Sequence, residues 1–152
     1  KTVRLTVDPS PVAVWIRGDA EAVREAVVSA ASGIAPAMPF GGEIRIAAER
    51  VYLDPEQART WSDCPGPGWY GVVRLSDTGT RLMPEARSRL FEAYSPFVAP
   101  EARAAFHLPM AFGVAAAHGG FAAATVDPGG QNVLRLYFPE QRPEPSPATG
   151  SA

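Results

Sequence analysis

The chain has 152 residues, about the size of one domain. A formal charge of −2 argues against a general nucleic-acid coat, and no apolar run approaches the ~18 residues of a membrane span. A single Cys excludes an internal disulfide framework and fits a reducing compartment, so a cytoplasmic location is expected. Hydrophobic residues, at 46%, suffice for a core, while charged residues are sparse at 20% and the 16 prolines are about twice the usual share. The sequence starts at Lys1 and carries no signal-peptide pattern, so it is expected to be a piece of a longer protein or a processed form.

Residues 3–7 alternate and predict a strand, and residues 11–17 (PVAVWIR) form a second β-rich run. Gly18-Asp19 ends that run, with Asp19 as N-cap of a helix from Ala20. The helix puts Ala22, Val23, Ala26, Val27 and Ala30 on one apolar face. It must end or kink before Pro36, which lacks a backbone donor. Gly41-Gly42 is a turn, and residues 43–51 read as a strand with Ile44 and Ile46 facing the core. Residues 54–68, with Pro55, Pro65, Gly66, Pro67 and Gly68, read as a polar loop. Residues 69–76 are apolar enough for a central strand, closed by Asp77-Thr78-Gly79.

Pro84 to Phe91 suits a short helix, and residues 95–107 show no regular pattern. Residues 108–118 predict a small-residue helix stopped by Gly119-Gly120. Residues 121–126 and 132–138 predict a hairpin turning at Pro128-Gly129-Gly130. The domain is therefore expected over residues 1–139, followed by a Pro/Ser/Ala-rich tail or linker over 140–152. The order β-β-α-β-β-α-α-β-β predicts an α+β fold: a two-layer α/β sandwich with a mixed, mostly antiparallel sheet and helices on one face.

Three collinear segments carry a family resemblance. They are residues 19–46 (DAEAVREAVVSAASGIAPAMPFGGEIRI), residues 69–94 (WYGVVRLSDTGTRLMPEARSRLFEAY), and residues 108–138, whose helix ends in HGG. In that order they resemble the first ATP-site helix with its turn and strand, the adenine-binding strand with a Phe-rich segment, and the last helix with the closing hairpin. The family is the catalytic and ATP-binding domain of sensor histidine kinases, within the superfamily that includes gyrase B. The match covers about residues 12–139.

The departures from the family pattern are informative. Its first helix carries two Asn one helical turn apart, both reaching the phosphates, the second holding Mg²⁺. Aligned through Ala37-Met38-Pro39, those positions are Ser29, which keeps a hydroxyl, and Gly33, which has no side-chain oxygen. In the Asp-x-Gly-x-Gly motif, whose Asp accepts from the adenine amino group, Asp77 and Gly79 are present and Arg81 replaces the second Gly. Asp77 also has a plainer reading, as a strand-end Asp that makes a turn with Gly79. The Gly-rich stretch that cradles phosphates before the last helix should fall at residues 103–108. There the sequence is RAAFHL, so Arg103, Phe106 and His107 mark a former lid without Gly.

The resemblance thus implies a vestigial nucleotide site of Ser29, Gly33, Asp77, Gly79 and Arg81, and it supplies no catalytic residue. Losing two or three phosphate contacts at ~1.5–3 kcal/mol each removes roughly 2 to 6 powers of ten in affinity. Arg81 and Arg103 would recover part of that by contacting phosphate. The favoured implication is a degenerate, pseudokinase-type regulatory module in two-component signalling, without a cofactor. Its partner would be a response-regulator receiver domain or a partner kinase domain, and the isolated domain would be a monomer that binds neither nucleic acid nor membrane. One alternative is a divergent active domain. It would bind ATP and Mg²⁺ at Asp77 and Gly79, with Ser29 at the phosphate end, and pass the γ-phosphate to a His on a neighbouring domain. A second alternative is a histidine phosphotransfer protein that reuses the fold.

Other residues have plain readings. His118, in the last turn of its helix, is expected to act as a cap, and His107 to have no catalytic role. Two His and one Cys make no metal cluster. Cys64 reads as an exposed thiol in a Pro/Gly loop. Trp15, Trp69 and Phe91 read as core, and Tyr94, Phe97 and Phe106 as an apolar surface beside the lid. Pro36 and Pro109 sit on the two helices expected to frame the cleft, where a working site wants regular helix.

Overall fold

The computed structural model describes residues 3–35, 38–79 and 107–141, apart from the side chains of 107–109. The chain forms β1 (Val3–Asp8), α1 (Ala20–Ile34), β2 (Gly42–Leu53), α2 (Pro55–Thr60), β3 (Gly68–Asp77), α3 (His107–Ala117), β4 (Phe121–Val126) and β5 (Asn132–Pro139). The five strands make one sheet in the order β1-β2-β3-β5-β4. β1 runs parallel to β2, and every other pair is antiparallel. The expected two-layer α/β sandwich with a mixed, mostly antiparallel sheet is the fold observed.

Strand alternation sends successive side chains to opposite faces. On one face Ile44, Leu75, Ala122, Leu134, Leu136 and Phe138 meet Ala26 and Ala30 of α1 and Ala111 and Ala115 of α3. Small residues on both helices let them lie close to each other and to the sheet. On the reverse face Leu53, Tyr70, Val72, Phe121, Ala123 and Tyr137 form a second, smaller core. There Phe121 and Tyr137 stack at 4.2 Å, and Tyr70 meets both edge-on.

Asp19 caps α1 as its sequence implies. Its Oδ1 accepts from the backbone N–H of Glu21 at 2.9 Å and of Ala22 at 3.3 Å. The α3–β4 turn needs both of its glycines: Gly119 has φ 78°, and a Cβ on Gly120 would lie 1.7 Å from the Tyr137 carbonyl oxygen. His118 makes the expected capping contact, with Nδ1 2.7 Å from Val114 O. It also links two helices, because its Nε2 accepts from Asp19 N–H at 3.2 Å. With Nε2 accepting, the ring proton sits on Nδ1.

The structure corrects several expectations. Residues 11–17 are not a strand: Ile16 alone bridges, to Glu140. A Cβ on Gly71 would lie 2.6 Å from Val14 Cγ1 and 3.0 Å from Ile16 Cγ2, so the run crosses the face of β3 instead of extending the sheet. Trp15 is consequently 48% exposed rather than core, and Trp69 is 44% exposed. Trp69 instead carries the Arg50 guanidinium 3.7 Å above its ring and meets Tyr52 edge-on at 5.2 Å. Arg50 in turn grips Glu140 through two bonds of 2.8 and 3.0 Å.

The 54–68 segment is not all loop, because Asp54 and Gln57 form a reciprocal capping box around Pro55 that starts α2. Cys64 is half-buried, not exposed: its thiol donates to Gly66 O and lies 3.7 Å from the Tyr70 hydroxyl. Burial first, then the Cys64 contact, pushes the Tyr70 hydroxyl up to about 12. α3 starts at His107 and holds Pro109 in its first turn, where the missing N–H breaks no helical bond. The expected helix from Pro84 to Phe91 lies outside the described residues, as do Pro36, Tyr94 and Phe97.

Candidate functional site

The site is built on the last residues of β3. Asp77 pairs in register with Ile44 of β2 and Asn132 of β5, on the sheet face that meets α1 and α3. It is only 5% exposed. Its Oδ1 accepts from Gly79 N–H at 2.8 Å and from Asn132 Nδ2 at 3.1 Å. Burial raises the carboxyl above the ordinary carboxylate range, and the two hydrogen bonds oppose that rise. The turn contact of the plainer reading is therefore made, and it is made by a buried carboxylate.

Thr78 ties this strand end to the start of β2. Its Oγ1 accepts from Glu43 N–H at 3.0 Å, and its own N–H donates to Glu43 O at 3.2 Å. Met38, 5% exposed, closes the same corner, with its Sδ 3.8 Å from Thr78 Oγ1. A Cβ on Gly42 would meet Met38 Sδ at 2.6 Å and Thr78 Oγ1 at 2.7 Å, so the corner is tightly filled.

Ser29 and Gly33 lie one turn apart on α1. Gly33 is buried, and the Ser29 hydroxyl points to α3, where it lies 3.4 Å from Met110 Sδ. The fold thus joins Asp77 to Gly79 and places Ser29 and Gly33 on the helix that covers the same sheet face. No hydrogen bond among the described residues links the two pairs. His107 is the first residue of α3, and Arg81, Arg103 and Phe106 lie outside the described residues. Sequence reasoning missed Asn132, Thr78 and Met38. The usable signal for Asn132 was a lone polar residue opening the apolar run NVLRLYF, but its meeting with Asp77 follows only from strand register.

The donor set can be tested against the nucleotide and metal that the sequence resemblance implies. A buried carboxylate beside an apolar wall suits an amino-group donor such as adenine. The magnesium end does not fit. Gly33 has no oxygen, the Ser29 hydroxyl is turned to Met110, and no group of three or more His, Cys, Asp or Glu among the described residues could hold a metal ion.

Solved structures share this arrangement of strands and helices. The mycobacterial sensor histidine kinase MprB superposes with a TM-score of 0.65 at 17% identity, over 93% of this chain and 84% of that one. The catalytic domain of histidine kinase ThkA gives 0.63 at 14% identity, over 91% and 80%. The ATP-binding domain of PrrB from Mycobacterium tuberculosis gives 0.57 at 22% identity, over 92% and 82%. The fold is that of a histidine kinase ATP-binding domain. Full-length ShkA, solved in complex with AMPPNP, matches with a TM-score of 0.64 at 21% identity, and this chain spans 26% of its length. No protein-family model and no curated protein matches the sequence. At these identities the likeness is one of fold, and function has to be argued from the site.

Proposed function

We propose that this chain is a signalling module with the histidine kinase ATP-domain fold and impaired nucleotide handling, which acts by binding another protein of a two-component system. The observation that carries the reading is Gly33, a buried residue without a side-chain oxygen at the position where the sequence resemblance would put the magnesium ligand. Without that ligand the metal-bridged phosphates lose their protein anchor. A receiver domain or a partner kinase domain is the partner this reading implies, in the cytoplasm. Among the described residues no helix is long and apolar enough to cross a membrane.

Thermal melting with and without Mg·ATP tests the proposal. A site occupied at 100 times its dissociation constant adds ~2.7 kcal/mol of stability, so a clear upshift at millimolar Mg·ATP would overturn it. No upshift is expected. A combined Gly33→Asn, Arg81→Gly variant with glycines restored across residues 103–108 should gain binding. If it gains none, the alignment of Gly33 with the magnesium position is wrong.

A second reading, a divergent active domain, is favoured by Asp77, whose buried carboxylate keeps the place of an adenine acceptor. Full-length ShkA, part of which shares this fold, is solved in complex with AMPPNP, which makes the same analogue a suitable probe. Transfer of labelled γ-phosphate to a His on a supplied phospho-acceptor domain would establish this second reading in place of the first.

A further inference from the structure

The edge strand β1 is self-complementary. It pairs only with β2 among the described strands, leaving its outer backbone edge without a neighbouring strand there. Six residues run without Pro, Lys or a bulge before Pro9, and the two charges on the strand, Arg4 and Asp8, are of opposite sign. Leu5 and Val7 align with Ile44 and Ile46 on the helix-facing side, yet they stay 56% and 63% exposed. Arg4, Thr6 and Asp8 alternate onto the other side. Asp8 lies 3.7 Å from Arg45 in a solvent-exposed pair, and Arg4 has no ion pair among the described residues.

We propose that two copies of this chain associate through β1, antiparallel about a two-fold axis at Thr6, extending the sheet across the dimer. Charge selects both the occupant and the register. In this alignment Arg4 of each copy stands opposite Asp8 of the other, and Leu5 stands opposite Val7, so both faces match at once. A shift of two residues in either direction breaks both Arg4–Asp8 pairs. A parallel pairing in register would set Arg4 against Arg4 and Asp8 against Asp8. An isologous contact of this kind closes on itself, giving a dimer and not a filament. A strand of six residues buries less than a standard interface, so association is weak. This departs from the monomer expected from the sequence.

Light scattering across micromolar to millimolar protein tests the proposal. The mass should rise from 16.1 kDa toward twice that value. Arg4→Asp should weaken association by about tenfold by setting like charges opposite each other, and Arg4→Asp with Asp8→Arg should restore it. Thr6→Lys, which puts two lysines at the axis, should abolish it. Far-UV circular dichroism confirms that each variant is folded. For wild type, amide exchange in β1 should slow as concentration rises, a readout that no variant's stability can obscure. A mass fixed at the monomer value up to millimolar protein overturns the proposal. So does a dimer indifferent to folded Arg4→Asp, a folded double variant that fails to recover, or β1 exchange independent of concentration.

Discussion

Asp77 at the end of β3 and the Ser29–Gly33 turn of α1, the helix packed on the same sheet face, are treated differently by the chain. At this corner Asp77 is bonded by Asn132 from β5 and Gly79 from the following turn, while Thr78 of that turn bonds back to β2 and touches Met38 from the segment before it. The carboxylate is part of the fold's own hydrogen-bonding and would persist whether or not a ligand ever arrives. On α1, Gly33 contributes only close packing, and Ser29 contributes one weak contact to a methionine sulfur. A buried carboxylate can therefore be held in place by the fold's own needs, without a ligand. Asp77 by itself is therefore weak support for nucleotide binding.

Substitutions can break or sharpen that contrast. The largest effect should come from Leu75→Ala, two residues before Asp77 on the same face and fully buried. Denaturant unfolding should show a loss of roughly 2–5 kcal/mol, and a loss under ~1 kcal/mol would mean that this strand end is not core. Asp77→Ala should cost about 1–3 kcal/mol, because it removes the acceptor of two hydrogen bonds while relieving a buried charge. An unchanged midpoint would make Asp77 a ligand residue alone.

Asp77→Asn should cost less than Asp77→Ala and should alter the pH dependence. Burial raises the folded-state pKa above 3.8. Between 3.8 and the raised value the folded protein holds a proton that the unfolded chain has released. The stability of that protonated form is complete below 3.8 and is lost as pH rises through the raised value. Wild type should therefore gain on Asp77→Asn as pH falls toward 3.8, and a stability difference that stays flat on acidification would contradict this. Ser29→Ala should change stability by no more than ~0.5 kcal/mol. A larger loss would show that the α1 end is knit into the fold as firmly as the β3 end.

Much of the architecture was legible in the residues. The Asp19 cap, the Ala26 and Ala30 stripe, the apolar run of β3 and the paired glycines after α3 are local signals, and each acts through its own neighbours. The α2 helix was equally legible in Asp54-Pro55-Glu56-Gln57, but the Pro and Gly residues beyond it masked the capping pattern. Residues 11–17 misled because a β-branched run suits any extended segment. Whether it joins a sheet edge or crosses a sheet face depends on a distant glycine, Gly71. Trp15 and Trp69 misled for a related reason: hydrophobicity favours burial, but position in the fold decides which large side chains the core has room for.

By itself the sequence determined where strands and helices start and stop, which faces are apolar, and that Gly33 offers no oxygen. These follow from side-chain chemistry and short-range backbone sterics. Only the tertiary structure decided that Asn132 meets Asp77, that Met38 and Thr78 fill the corner beside it, and that Leu5 and Val7 are left uncovered at the sheet edge. Register and layer packing join residues far apart in the chain, and no local pattern encodes which of them will touch.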